Sequence, residues 1–194
     1  MLPAALRRLL VGALLLAAAC RAAPAPATPV AYANPVKGLA FTYPSDWEVI
    51  DVETDASITL LTDAALSGAN PDTFGSGDAL MVLGVEALPL VTYGWEPLQF
   101  VIAMTNQFAA GAELEILDEP EVRTLGGRSF ALTAFRAHSL DTPGAASVVF
   151  LASHMTKELS LLVLGETSSD GAEDFRPVFE SVLTSLTLSL PAER

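Results

Sequence analysis

Few residues in the chain are equipped to do chemistry. It carries one cysteine, Cys20, and two histidines, His138 and His154. Nucleophilic catalysis by serine or cysteine needs a base close at hand. No G-x-S-x-G stretch presents a serine, and neither H-E-x-x-H nor C-x-x-C offers zinc a ligand set. No glycine-rich phosphate loop follows a strand. The local pattern places His138 at a strand end and His154 in a hairpin turn, where both rings are expected to face solvent. Two acidic runs remain. "ELEILDEPE" gathers Glu113, Glu115, Asp118, Glu119 and Glu121, and a second stretch carries Asp63, Asn70, Asp72 and Asp78 among glycines. Oxygen ligands of this kind suit calcium, but neither run follows the EF-hand spacing. Both read as solvated acidic edges. Paired carboxylates also serve in hydrolysis, yet nothing in the sequence sets two of them across a cleft. The expectation is a chain without catalytic residues, metal ligands or a cofactor.

Cys20 has a different setting. Arg7 and Arg8 precede Leu9 to Ala19, eleven residues that are all apolar or glycine. That length suits the h-region of a signal peptide, whereas a membrane-spanning helix needs about 20 such residues. Ala17, Ala18 and Ala19 then lead into the cysteine. The arrangement resembles the lipobox of bacterial lipoproteins, with Ala17 where that family usually has leucine. The resemblance implies that residues 1–19 are a signal peptide and that the Cys20 thiol is acylated. Two acyl chains on one residue anchor stably, at about 0.8 kcal/mol per buried methylene. Residues 20–35 are rich in alanine and proline and nearly uncharged, and they read as an extended tether.

Without residues 1–19 the chain has 8 basic and 23 acidic residues, a net charge of −15. Nucleic acid is excluded as a partner, since its phosphates call for a basic patch. Direct docking on anionic lipid is disfavoured for the same reason. Contact with the membrane is therefore expected through the N-terminal lipid alone, at the outer face of a bacterial cell membrane or at an outer membrane. A protein partner is compatible with this surface, and the sequence leaves the oligomeric state open. A single cysteine allows no disulfide within the chain, so one core must hold roughly 160 residues together.

The elements that would position any site follow from periodicity. "LAFTYP" alternates as a strand, "YPSDW" turns, and "WEVIDV" reads as the returning strand. "SITLLT" and "DALMVLGVEAL" are two further strands. Residues 96–110 change to a helical period, with Leu98, Ile102, Thr105 and Phe108 or Ala109 on the apolar face and Gly111 as the stop. "EVRTLGGRSFALTAFRAH" reads as a hairpin about Gly126-Gly127. "GAASVVFLAS" and "ELSLLVLGE" form another, apolar enough for a sheet centre covered on both faces. Ser169 and Asp170 are N-cap candidates for a last helix. It is expected to start near Asp174, so that Pro177 falls in the first turn, and to bury Phe175, Val178, Phe179, Val182, Leu183 and Leu186. Four strands, a helix, four strands and a helix make an α+β domain on a mainly antiparallel sheet.

"GLAFTYPSDW" resembles the opening signature of PsbP-like proteins, G-x-x-F-x-Y-P-x-x-W, through Gly38, Phe41, Tyr43, Pro44 and Trp47. The order of the later elements is similar as well, so the resemblance spans residues 36–190. It implies an α/β/α sandwich with two packed helices. The family includes photosystem II extrinsic subunits, a Ran-binding nuclear import cofactor and bacterial exported proteins, and most of its members are not enzymes. No residue carries the photosystem or Ran role onto this chain. Physically, the motif's aromatics read as a plug for one end of the core, with a ligand-binding aromatic site as the alternative.

The segment from Asp63 to Asp78 is long for a strand connection. Leu66, Asp72, Phe74 and Asp78 are its candidate partner-binding residues, with the apolar pair as anchors inside an acidic rim. The expected function is a membrane-anchored, non-catalytic binding or assembly module. The alternatives are a small-molecule or lipid carrier with a pocket between sheet and helix, and a hydrolase with an unrecognised site.

Overall fold

The computed structural model describes residues 27–51, 57–62, 78–87, 96–140 and 145–189. Cys20 and its leader, and Leu66, Asp72 and Phe74, lie outside the described residues. The strands are β1 (Pro29–Asn34), β2 (Leu39–Pro44), β3 (Trp47–Ile50), β4 (Ser57–Thr62) and β5 (Ala79–Ala87). Helix α1 (Pro97–Ala109) follows, then β6 (Ala112–Leu125), β7 (Arg128–Ser139), β8 (Ala146–Met155) and β9 (Leu159–Ser168). Helix α2 (Ala172–Ser185) and β10 (Thr187–Leu188) complete the order. Seven strands form one sheet in the order β3-β4-β5-β9-β8-β7-β6, and β1-β2-β10 form a second. Every pairing is antiparallel. This is the expected α+β architecture.

Strand β8 shows why the helices take opposite faces. Its residues 147 to 153 are all buried, which requires cover on both sides of the pleat. Val148, Phe150 and Ala152 join the main core with Phe175, Phe179, Val182 and Leu183 of α2. Their neighbours Val149 and Leu151 pack instead with Phe135, and with Met104 and Phe108 of α1. The chain turns between β6 and β7 at Gly126 and Gly127, both at positive φ (56° and 77°), as the hairpin reading required.

Several expectations are corrected. Residues 29–34, assigned to the tether, form β1. Their backbone finds partners on β2, from Pro29↔Pro44 to Asn34↔Leu39, so ladder bonds hold a stretch whose side chains alone could not. Strand β3 does not return along β2: the "YPSDW" turn carries the chain from the small sheet into the large one. In α1 the buried residues are Val101 and Thr105, while Ile102 is 42% exposed. Helix α2 starts at Ala172 rather than near Asp174, and its N-cap is Gly171 rather than Ser169 or Asp170. The Phe175 N–H already donates to the Gly171 carbonyl at 3.0 Å, so Pro177 falls inside the helix. Val178 is half-buried instead of belonging to the buried stripe. The acidic run 113–121 lies within β6, the outer strand of the large sheet. Its charges, Pro120 and two register shifts are devices that discourage pairing with a further strand.

Candidate functional site

The signature residues divide between two tasks. Gly38 (φ 70°) makes the turn into β2. Phe41, 3% exposed, enters the core and packs 5.0 Å from the Tyr32 ring. Tyr43 and Trp47 flank the core but remain half-buried. Trp47 stacks on Phe175 of α2 at 5.8 Å, with the rings 11° apart. The bond from Thr42 N–H to Ser185 Oγ (2.9 Å) ties β2 to the far end of the same helix.

Between these supports lies an open groove of about 460 Å³. Tyr43, Pro44 and Trp47 form one wall, and Pro177, Val178 and Ser181 of α2 form the other. Ala27 and Pro29 close one side, and Asp46 contributes a carboxylate. The aromatics therefore do more than plug the core: a flat ring surface is held rigidly from behind and faces an apolar trough. The partly exposed Val178 and the mid-helix Pro177 belong to this wall. Sequence reasoning missed the groove, because its walls lie about 130 residues apart and no local signal pairs them.

A second cleft, about 380 Å³, lies between β5, β9 and Phe100 of α1. Val82, Leu162 and Leu164 line it and Gly84 forms part of its floor; a Cβ on Gly84 would meet nothing within 4 Å. Ser160 is its polar lining residue.

The charged clusters are structural in geometry. Lys37, 5% exposed, forms an ion pair with Asp51, which also accepts from Tyr32 Oη and from Asn34 Nδ2 (2.7 Å). Burial works to raise the Asp51 pKa. Hydrogen bonds from Lys37, Tyr32 and Asn34 and the Lys37 charge outweigh it and lower the value to about 2. Burial, and then the bond to Asp51, push Tyr32 up to about 12. Neither group changes protonation near neutral pH, where a general acid or base must. On the large sheet Arg176 pairs with Asp118 and lies 5.2 Å from the Phe150 ring centroid. Arg123 bonds Glu180 at 3.0 Å. These pairs pin α2 to the acidic strand β6.

The sequence-predicted residues are not brought together. His154 lies within β8 rather than in a turn, with Nδ1 2.8 Å from the Ser129 carbonyl and its ring 5.4 Å from Phe130. His138 pairs with Ala146 at the other end of β8, roughly 25 Å away at about 3.3 Å per residue. Asp78 immediately precedes β5, and its carbonyl accepts from Thr167 Oγ1 at 2.8 Å. Among the described residues no group of three or more His, Cys, Asp or Glu is placed to hold a metal, and no helix is long and apolar enough to cross a membrane.

No protein-family model matches the chain, and no curated protein matches it. Solved structures do. The cyanobacterial PsbP, CyanoP, of Synechocystis is 14% identical with a TM-score of 0.56, over 86% of this chain and 95% of that one. LpqN of Mycobacterium tuberculosis, described as involved in cell envelope biogenesis, is 15% identical with a TM-score of 0.58, over 84% and 90%. The Ran-binding protein Mog1p of Saccharomyces cerevisiae is 8% identical with a TM-score of 0.58, over 84% and 96%. At such identities the likeness is one of fold, and the chain has the PsbP-like fold that its opening motif implied.

Proposed function

We propose that the chain is a non-catalytic binding module, held by a lipid on Cys20 at the outer face of a bacterial membrane, and that the groove beside Trp47 receives its partner. The groove is the observation that carries this reading. It is apolar and aromatic, and it is braced by the core through the Trp47–Phe175 stack. Among the described lining residues its one ionisable group besides Tyr43 is Asp46. Rigid aromatic anchors in an apolar trough are the usual centre of a protein interface. Proteins of like fold that bind Ran or take part in envelope biogenesis are in keeping with a binding role.

The test is site-specific photo-crosslinking in native membranes, with the reactive residue at Ser181 in the groove and at exposed Thr124 as a control. Adducts at Ser181 alone are expected. Adducts absent from Ser181, or equal at both sites, would exclude the groove. For the anchor, Cys20→Ser is expected to release the chain or leave it unprocessed, and an unacylated wild-type N-terminus by mass spectrometry would refute lipidation.

The carrier reading has its own observation, the cleft over Gly84. A long-chain lipid recovered at one equivalent from the purified protein would favour it over the partner-binding reading.

A further inference from the structure

The groove is specific about what fits it. Tyr43, Trp47, Pro44 and Pro177 present flat, rigid faces, the surface on which proline rings of an extended segment stack in polyproline recognition. Asp174, Pro177, Val178 and Ser181 are spaced three and four residues apart, so they share one side of α2. Asp174 and Asp46 are both exposed, which adds negative charge to a trough whose other described lining residues are uncharged. The matching ligand is a proline-containing extended segment with a basic residue.

The chain itself carries such a segment next to the groove. Ala27 and Pro29 already stand in the groove lining, and the residues before them read Arg21-Ala22-Ala23-Pro24-Ala25-Pro26. Consecutive Cα atoms are about 3.8 Å apart, a spacing that lets Pro26 and Pro24 reach the groove from Ala27. At about 3.1 Å per residue for an extended proline-rich stretch, Arg21 reaches roughly 19 Å, enough to span the α2 wall back to Asp174. A covalently attached ligand also has an effective concentration of about millimolar or more.

We infer that residues 21–26 of this chain occupy the groove, with Pro24 and Pro26 against Tyr43 and Trp47 and Arg21 towards the carboxylates of Asp46 and Asp174. The inference rests on the groove being a binding site. It adds that the first occupant is the chain's own tether, which a partner must displace and which holds the domain close to its anchor.

The full chain in detergent micelles, labelled with 5-fluorotryptophan, gives two 19F resonances, from Trp47 and Trp95, and Trp47→Phe assigns them. Pro24→Gly/Pro26→Gly is expected to shift the Trp47 resonance. Adding the peptide Arg-Ala-Ala-Pro-Ala-Pro-Ala to this variant is expected to restore the wild-type position. Ser181→Arg, at an exposed wall position, is expected to weaken the peptide's effect at least tenfold. A Trp47 resonance unmoved by the proline replacements, or a peptide that acts equally on the Ser181→Arg variant, would overturn the inference. The crosslinking at Ser181 scores the partner separately: adducts to another protein beside an unmoved Trp47 resonance would leave the groove as a partner site and remove the tether from it.

Discussion

Gly165 sits at mid-strand in β9, under the two phenylalanines that seat α2. A Cβ there would lie 2.8 Å from Cε1 and Cζ of Phe175 and 2.8 Å from Cδ2 of Phe179, where ordinary contact begins at 3.4 Å. The rings would have to retreat by several tenths of an ångström. They have little room, since Phe175 and Phe179 are 4% and 2% exposed and both pack on Phe150, at 5.4 and 5.5 Å. Overpacking of this kind costs about 1–3 kcal/mol. Replacing glycine by alanine recovers about 0.4–1 kcal/mol from the unfolded chain. Gly165→Ala is therefore expected to destabilise by up to about 2.6 kcal/mol, and at roughly 2–4 °C per kcal/mol for a domain of this size to lower Tm by up to about 10 °C. Gly84→Ala is the control: its Cβ meets nothing within 4 Å, so only the gain of about 0.4–1 kcal/mol applies. Urea unfolding of both variants, with Phe179→Leu combined with Gly165→Ala to relieve the contact, measures the difference. Because Phe175 also stacks on Trp47, the Trp47 signal is expected to move in Gly165→Ala and not in Gly84→Ala. Equal stability of the two alanine variants would refute the packing argument.

At the Lys37 cluster, the folded Asp51 pKa of about 2 lies below the ordinary 3.8. Its stabilisation is therefore complete above the ordinary value and is lost as pH falls through about 2. The stability gap between wild type and Asp51→Asn should be wider at pH 6 than at pH 2.5, and a gap independent of pH would contradict this. In the β6–β7 turn, Gly127→Ala is expected to cost about 1–2 kcal/mol for its left-handed backbone. Gly126→Ala adds a Cβ 2.0 Å from the Thr184 carbonyl oxygen, a further ~1–3 kcal/mol of overpacking, so the two variants should separate clearly by calorimetry. If the segment holding Leu66, Asp72 and Phe74 also binds the partner, replacing residues 64–77 by a short Gly-Ser link should abolish partner crosslinking in native membranes while the domain still melts cooperatively; unchanged crosslinking by the folded variant would remove it from the interface.

Local period was enough to read the elements whose burial is local in origin. The continuous apolar run of β8 demanded cover on both faces, and Gly126-Gly127 demanded a turn at positive φ. The Phe175, Phe179, Val182, Leu183 stripe demanded a sheet to lie on. Pairing across long sequence separations decided the rest. An alanine- and proline-rich stretch has no strand signal of its own, yet residues 29–34 become β1 because β2 offers them hydrogen-bond partners. Val101 rather than Ile102 is buried because α1 is rotated to suit the surface of β8 and its neighbours, which the helix's own pattern does not contain. The opening motif showed the same limit. Its residue types announced a family fold, but only the approach of α2 separated Phe41, sealed in the core, from Tyr43 and Trp47, left as the wall of a groove. Residue type and spacing set which side chains seek burial; the contacts available across the folded chain set which of them find it.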